Sequence, residues 1–140
     1  MNGLREKFRN KKGFTLVEML IVVAIIAILI AVSIPMIGSS LEGARKATDD
    51  ANKRAALGAA MIEVMSKNSL GDVTIKDTDT TMTACYRVSE GKGTLTKSAT
   101  NDAAFKYGQS TKDGAKDGYV EVTYTVATGD FTAVWKTPGG

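Results

Sequence analysis

Glu18 is the residue whose position most needs a chemical explanation. It is the only ionisable side chain between Phe14 and Ile37, a run of 24 residues in which Thr15 and Ser33 are the only other polar members. A carboxylate at the centre of a membrane helix costs about 2.5 to 3.5 kcal/mol on insertion scales, somewhat less near an end, and such residues normally have a partner. The chemistry expected of Glu18 is therefore the pairing of a buried charge.

The residue inventory excludes most common catalytic centres. The chain has no histidine and a single cysteine, Cys85. Zinc sites of the usual kind, Cys-His nucleophile pairs and Ser-His-Asp triads all need residues that are missing. We therefore expect no catalytic residue, no metal site and no cofactor. One cysteine also forbids a disulfide within the chain, and we expect Cys85 to be a half-buried strand residue.

Positive charge is concentrated at the N-terminus. Residues 1–13 hold five basic residues and one acidic residue, a net charge of +4, which leaves −1 for the other 127 residues. The apolar run that follows exceeds the roughly 20 residues that span a bilayer as a helix. Basic residues precede the run and none follows it until Arg45, which predicts a cytoplasmic N-terminus and an exterior C-terminus. Because the remaining chain is nearly neutral, we expect no specific nucleic-acid binding.

Two ordinary explanations of such a segment fit it poorly. A secretory signal peptide has an apolar region of about 7 to 15 residues, followed by small residues at a cleavage site. Here the apolar run is longer, and no such site follows it closely. An uncleaved membrane anchor fits the length of the run but leaves Glu18 unexplained.

The sequence KKGFTLVE at residues 11–18 closely resembles the processing motif of type IV prepilins, and the resemblance extends to about residue 45. In that family a membrane-embedded prepilin peptidase cuts after the glycine and methylates the new amino terminus. The resemblance therefore implies cleavage between Gly13 and Phe14 and N-methylation of Phe14. It also implies that Glu18 is the family's membrane glutamate.

The same resemblance implies how the subunit assembles. Pro35 and Gly38 correspond to the family's helix-breaking pair, and a proline inside a helix removes a hydrogen bond and favours a kink. In a helical filament of identical subunits, Glu18 of one chain would meet the Phe14 amine of a neighbour. Such a buried pair contributes more to register than to net stability. The implied partners are the peptidase, an inner-membrane platform and assembly ATPases, and the precursor would cross the membrane once before it joins a surface pilus.

Beyond Pro35, apolar or small residues recur at alternating spacings of four and three, which predicts an amphipathic continuation of the helix to about Ser66. The candidate partners of this small-residue stripe are a sheet of the same chain and helices of neighbouring subunits, and the resemblance to pilins implies both, on different faces of the helix. The charged residues between its members, among them Glu42 and Asp49, are expected to form a solvated face. The stripe consists of Ile37, Leu41, Ala44, Thr48, Ala51, Ala55, Gly58, Ile62 and Met65.

The C-terminal half is expected to be a small antiparallel sheet. Apolar residues alternate in three runs, and the residues at 127–130 suit a hairpin turn between the last two. Residues 89–118 are predicted to be an exposed loop by composition, with one helical turn at 102–107 capped by Asn101 or Thr100. The predicted class is α+β, a long N-terminal helix packed on a small antiparallel head. The predicted divisions are a leader at 1–13, a membrane and assembly helix at 14–37, its amphipathic continuation at 38–66 and a head at 67–140.

Three functions remain open at this point. The first is a structural pilin whose polymer serves adhesion, motility or aggregation. The second is a pseudopilin or minor pilin of a type II secretion or competence system, which shares the N-terminal half. The third belongs to a different class, an uncleaved membrane-anchored binding module. Many Gram-negative pilins close the head with a disulfide, and the single Cys85 suggests a pilin of the kind found in Gram-positive bacteria, or a pseudopilin.

Overall fold

The computed structural model describes residues 15–139, so Gly13 and Phe14 lie outside the described residues. The chain divides into two compact units, with the boundary between Ser40 and Leu41. Helix α1 belongs to both. The elements are α1 (Leu16–Lys67), β1 (Ser69–Leu70), β2 (Val73–Thr74), β3 (Thr81–Ser89), β4 (Lys92–Thr96), β5 (Tyr119–Thr125) and β6 (Asp130–Lys136), with 3₁₀ turns at Ala103–Phe105 and Lys112–Gly114.

The first unit contains the apolar part of α1. By length and composition α1 is able to cross a membrane. The helix is continuous through Pro35 and Gly38, so the predicted kink there stays a prediction. The Ser33 hydroxyl donates a hydrogen bond to the Leu29 carbonyl oxygen at 2.6 Å. This bond lowers the free-energy cost of placing a polar side chain in an apolar segment.

In the second unit, α1 ends where Asn68 adopts a left-handed conformation with φ of 51°. Asparagine tolerates this conformation better than most residues and is a common helix terminator. The Asn68 backbone N–H donates to the Val64 carbonyl oxygen at 3.1 Å, and its side-chain amide donates to the Ile75 carbonyl oxygen at 3.3 Å. Asn68 therefore ends the helix, and its side chain holds the following segment in place through Ile75.

The head is built on a four-stranded antiparallel sheet in the order β4-β3-β5-β6, with β1 and β2 forming a separate two-stranded ribbon. Tight pairing of β5 with β6 runs from Tyr119 opposite Lys136 to Thr125 opposite Asp130. The predicted hairpin between these strands is confirmed, and Gly129 supplies the positive φ that the turn needs, 77°. The α+β class, with a long helix on a small antiparallel sheet, is also confirmed.

One core joins the sheet to the second half of α1. Ala56 and Ala60 are fully buried against the sheet. An alanine at each contact lets the helix backbone approach the sheet closely, because little side-chain volume lies between them. The buried apolar members of this core are Ala56, Ala60, Leu70, Ala84, Tyr86, Leu95, Val120 and Val122.

The sheet does not cover the predicted small-residue stripe. Leu41, Ile62 and Met65 are 48%, 67% and 86% exposed. The covered face of α1 is offset from the stripe and contains Asp49 as well as the two alanines. Of the two partners considered for the stripe, the sheet of the same chain is therefore ruled out. Asp49, expected on a solvated face, is 2% exposed, and that expectation was wrong.

The expectation of an exposed loop over residues 89–118 was also wrong in part. Residues 92–96 form β4, which pairs with β3. Glu90 and Gly91 have φ of 52° and 73°, so they form a two-residue turn with two left-handed residues, the geometry that suits a tight hairpin. The composition of this segment did not predict a strand, because its residues are mostly small and polar. The buried residues within 89–118 are Leu95 in β4 and, after it, Phe105, Gly108, Ser110, Ala115 and Gly118.

The predicted turn over 102–107 is present as a 3₁₀ turn at Ala103–Phe105, and its cap is Asp102. The Asp102 carboxylate accepts a hydrogen bond from the Ala104 backbone N–H at 2.9 Å. Neither Asn101 nor Thr100 caps it, but the Thr100 hydroxyl donates to the Asp102 carboxylate at 2.7 Å. The hydroxyl of Thr100 and the backbone N–H of Ala104 hold the pKa of Asp102 below its ordinary value.

Enlarging a buried alanine of α1 tests the close approach of helix and sheet. We expect Ala60→Leu to lower the free energy of unfolding of the head by about 1 to 3 kcal/mol, because added methylenes have no space in a packed core. The measurement is urea unfolding of the full chain in detergent, followed by tryptophan fluorescence. Ala55→Leu, on an exposed position of the same helix, is the control and should have little effect. Equal losses in both variants would contradict the packing described.

Candidate assembly site

Glu18 begins α1 together with Thr15. The Thr15 backbone N–H donates to Glu18 Oε2 at 3.0 Å, and the Glu18 N–H donates to Thr15 Oγ1 at 3.2 Å. This reciprocal arrangement is a capping box, which satisfies two backbone donors that a helix start leaves without partners. Its pattern, Thr-x-x-Glu, is visible in the sequence, and the sequence analysis missed it. Glu18 therefore has a structural role within its own chain.

The capping box leaves acceptor capacity on Glu18. An ionised carboxylate has two oxygens with about four acceptor positions, and the described hydrogen bond to the side chain uses Oε2. Oε1 remains available for a donor from elsewhere. The cap is therefore compatible with the predicted pairing of Glu18 with an amine of another chain. It also holds the Glu18 carboxylate at the start of the helix.

The apolar side chains at residues 15–40, the described part of the first unit, are not buried. Every described residue from Thr15 to Ser40 is exposed. Exposed apolar patches on a single soluble protein rarely exceed a few hundred Å² and mark interaction or membrane surfaces when they do. A helix that is apolar all round needs an apolar surrounding on all sides. A bilayer or a bundle of other helices meets that requirement.

Two carboxylates of α1 in the second unit hold the segment that precedes β5. Asp49 accepts backbone hydrogen bonds from Gln109 and Ser110, the shortest at 2.7 Å from the Ser110 N–H to Oδ2. Glu42 Oε1 accepts the Ser110 hydroxyl at 2.6 Å and the Thr111 N–H at 2.9 Å. We call this arrangement the carboxylate clamp. It ties residues 109–111 to the helix.

The clamp changes the proton affinity of Glu42. The Ser110 hydroxyl and then the Thr111 backbone N–H donate to the carboxylate, which lowers the pKa of Glu42 from its ordinary value near 4.5. Lys46 strengthens the same corner, since its ammonium lies 3.3 Å from both Asp50 and Asp113. Hydrogen bonds to these carboxylates raise the pKa of Lys46. The contribution of Glu42 to the clamp is thus most favourable when its carboxyl group is ionised.

Cys85 lies in a second, smaller apolar cluster with Phe105 and Tyr119. It is 6% exposed, more buried than expected. Burial raises the pKa of the thiol, and burial likewise raises the pKa of Tyr119 to about 12. A buried thiol with a raised pKa is a poor nucleophile, so Cys85 packs as a small apolar residue.

Comparison with known proteins adds direct evidence on the first forty residues. Residues 8–34 match the family model described as the prokaryotic N-terminal methylation motif. The N-terminal segment is therefore similar to that of type IV pilins. The matched range includes Gly13, Phe14 and Glu18, the residues on which the resemblance was recognised, and that recognition is confirmed.

A named pilin shares this region. The chain is 62% identical over 42 residues to the type IV wide pilus major component PilA4 of Thermus thermophilus, which is 30% of this chain and 29% of that protein. The alignment therefore covers less than a third of either protein. No solved structure matches the chain. The evidence from relatives thus concerns the N-terminal region, and the head has to be interpreted from its own structure.

Replacing the buried carboxylate of the clamp, Asp49, by an amide should lower the stability of the head. We expect Asp49→Asn to lower the free energy of unfolding by about 1 to 3 kcal/mol, because an amide replaces one acceptor oxygen with a donor opposite buried N–H groups. Urea unfolding of the full chain in detergent measures the effect. Asp50→Asn is the matched control, since Asp50 is next in sequence but makes a more exposed ion pair with Lys46. A loss as large for Asp50→Asn would contradict a specific role for Asp49.

Acid should open the clamp by protonating Glu42. A carboxylate whose pKa is lower in the folded than in the unfolded state contributes stability above its unfolded pKa. That contribution disappears as the pH falls through the folded value, so we expect the loss below about pH 4.5, the ordinary value. Thermal unfolding between pH 7 and pH 3 measures it. Glu42→Gln should be less stable than the wild type at pH 7 and approach it at pH 3; a constant difference would contradict the linkage.

Proposed function

We propose that this chain is the precursor of a structural subunit of a type IV pilus. Prepilin peptidase would cut between Gly13 and Phe14 on the cytoplasmic side and methylate the Phe14 amine. The observation that carries this proposal is the methylation motif over residues 8–34, which overlaps a helical segment, residues 16–40, whose apolar side chains are all exposed. In this proposal the leader at 1–13 is removed after membrane insertion, and the assembly helix at 14–37 first spans the membrane and then packs in the polymer.

In the proposed filament, Glu18 pairs with the Phe14 amine of a neighbouring subunit. The capping box supports this role, because it holds one carboxylate oxygen in the helix start and leaves the other available. An amine and a carboxylate that meet in an apolar core remove two uncompensated charges, each of which would be costly alone. A kink at Pro35 and Gly38 would adjust the path of the helix within the filament.

The second half of α1 supports assembly independently of the motif. The small-residue stripe faces away from the sheet, and in the proposed filament helices of neighbouring subunits cover it. The platform protein and ATPases of the inner membrane would drive extension of the filament to the cell surface, where it serves adhesion, motility or aggregation. The chain itself would have no catalytic role. The single cysteine favours the kind of pilin found in Gram-positive bacteria.

The first experiment is N-terminal peptide and intact-mass analysis of the protein in fibres sheared from cells, compared with the membrane fraction. We expect a chain that starts at N-methylated Phe14 and is abundant in the fibres. The same processed chain confined to membranes would instead favour a pseudopilin or minor pilin. A chain that keeps its leader in both fractions would overturn the proposal and leave an anchored binding module.

Glu18→Gln separates processing from assembly. The leader motif stays intact, so we expect normal removal of residues 1–13, while fibres in the sheared fraction fall by about tenfold or more, because the buried amine has lost its counter-charge. Immunoblots of membrane and fibre fractions measure both steps. Ser33→Ala is the control, since Ser33 is another polar residue of the run but bonds only within its own helix. Fibre yields that fall equally in both variants would argue against charge pairing.

A further inference from the structure

The strand β6 forms an unpaired edge of the head. It is last in the strand order and is seven residues long. Among residues 15–139, no backbone hydrogen bond joins β6 to any element except β5. The outward N–H and C=O groups of alternate β6 residues therefore have no hydrogen-bond partner within residues 15–139, and such a row of groups can pair with another strand.

The usual protections of an edge strand are missing from the interior of β6. Proteins normally guard long edges with lysine, proline or a bulge. The five residues from Phe131 to Trp135 contain no charge and no proline, and the pairing with β5 runs through seven consecutive residues without a bulge. Val134, with a large apolar side chain, is 44% exposed. Charges occur only at the two ends, Asp130 and Lys136.

The sequence of β6, DFTAVWK, complements itself when a second copy runs antiparallel and is centred on Ala133. In that register Asp130 faces Lys136 of the second copy, and the same ion pair recurs at the other end by symmetry. Phe131 faces Trp135 of the second copy, and Thr132 faces Val134. Opposite charges, aromatic pairs and β-branched pairs directly across strands are the combinations that stabilise antiparallel pairing.

The two faces of β6 suit this arrangement. Phe131 and Trp135 lie on the core side, where Phe131 stacks on Tyr124 at 4.7 Å and Trp135 lies 5.6 Å from Tyr107 between ring centroids. Both rings are only partly buried, so each has surface left for a ring of the second copy. Residues directly opposite each other point to the same face of a sheet. The self-paired edge would therefore extend an existing row of aromatic contacts.

We propose that β6 is an interface between two copies of this chain, whose four-stranded sheets join there into one continuous antiparallel sheet. The contact is isologous, because the same strand serves both copies. A two-fold axis between antiparallel strands also reverses the helix of the second unit, so the two copies point in opposite directions. Such pairs do not form between subunits that share one filament polarity. The interface needs only the head and does not rest on the proposed function.

The charges at the ends of β6 allow a test with an internal control. We expect Asp130→Lys alone and Lys136→Asp alone to weaken self-association by about tenfold or more, because both end pairs become like-charge contacts. An equimolar mixture of the two variants should associate as strongly as the wild type, since each lysine again faces an aspartate. Sedimentation of the full chain in detergent micelles measures all four samples, which share the same membrane helix.

Several results of that experiment would overturn the proposal. A wild-type chain that stays monomeric at concentrations up to roughly 1 mM would do so. Equal association in all four samples would mean that another surface, such as the apolar helix, is responsible. A mixture no stronger than either single variant would exclude the antiparallel charge register. Circular dichroism of each variant establishes that a loss is not a failure to fold.

Disulfide trapping tests the register independently. Thr132→Cys and Val134→Cys place thiols that face each other across the proposed pair but lie diagonally when either variant meets itself. We expect the mixture to cross-link several-fold faster than either variant alone, because directly opposite side chains approach more closely than diagonal ones. The wild type, whose Cys85 is buried, is the blank. Equal rates in all samples would overturn the proposed register.

Discussion

The close contact between α1 and the sheet is the constraint on which the head depends. Ala56 and Ala60 are fully buried against valines and aromatic rings of the sheet. Because little side-chain volume separates helix and sheet at these two positions, the backbones approach closely and the rotation of the helix is fixed. That rotation decides which residues are covered. It brings Asp49 to the backbone of residues 109–110 and turns the small-residue stripe outward.

Sequence reasoning was strongest where a physical requirement left few alternatives. A long apolar run, one carboxylate inside it and basic residues before it define the N-terminal segment without reference to tertiary structure. The alternating strands around Val120 and Ala133 were predictable for the same reason, since period-two burial leaves a direct pattern. The left-handed Asn68 at the end of α1 also agrees with a stop signal that is visible in the sequence.

Where the sequence was ambiguous, tertiary packing made the decision. Two adjacent faces of α1 both carry small residues, and periodicity alone did not say which of them the sheet would cover. Asp49 was assigned to solvent because it is one of the charged residues between members of the stripe, and its burial depends on backbone donors 60 residues away in the chain. The strand β4 was missed because its residues are polar and small, although the Glu90-Gly91 turn determines its pairing. The contact of Asp49 is long-range and could not be predicted from the sequence alone, whereas β4 pairs with the strand that directly precedes it.

The carboxylate clamp also affects how the head reaches its final form. A disulfide forms only where an oxidant and thiol exchange are available, and its formation takes seconds to hours. Here the segment before β5 is held by Asp49 and Glu42 through hydrogen bonds, which form as fast as the backbone reaches them. The head therefore needs no oxidative step to hold this segment in place. The rate at which the head reaches its folded form is then independent of the redox chemistry of its surroundings.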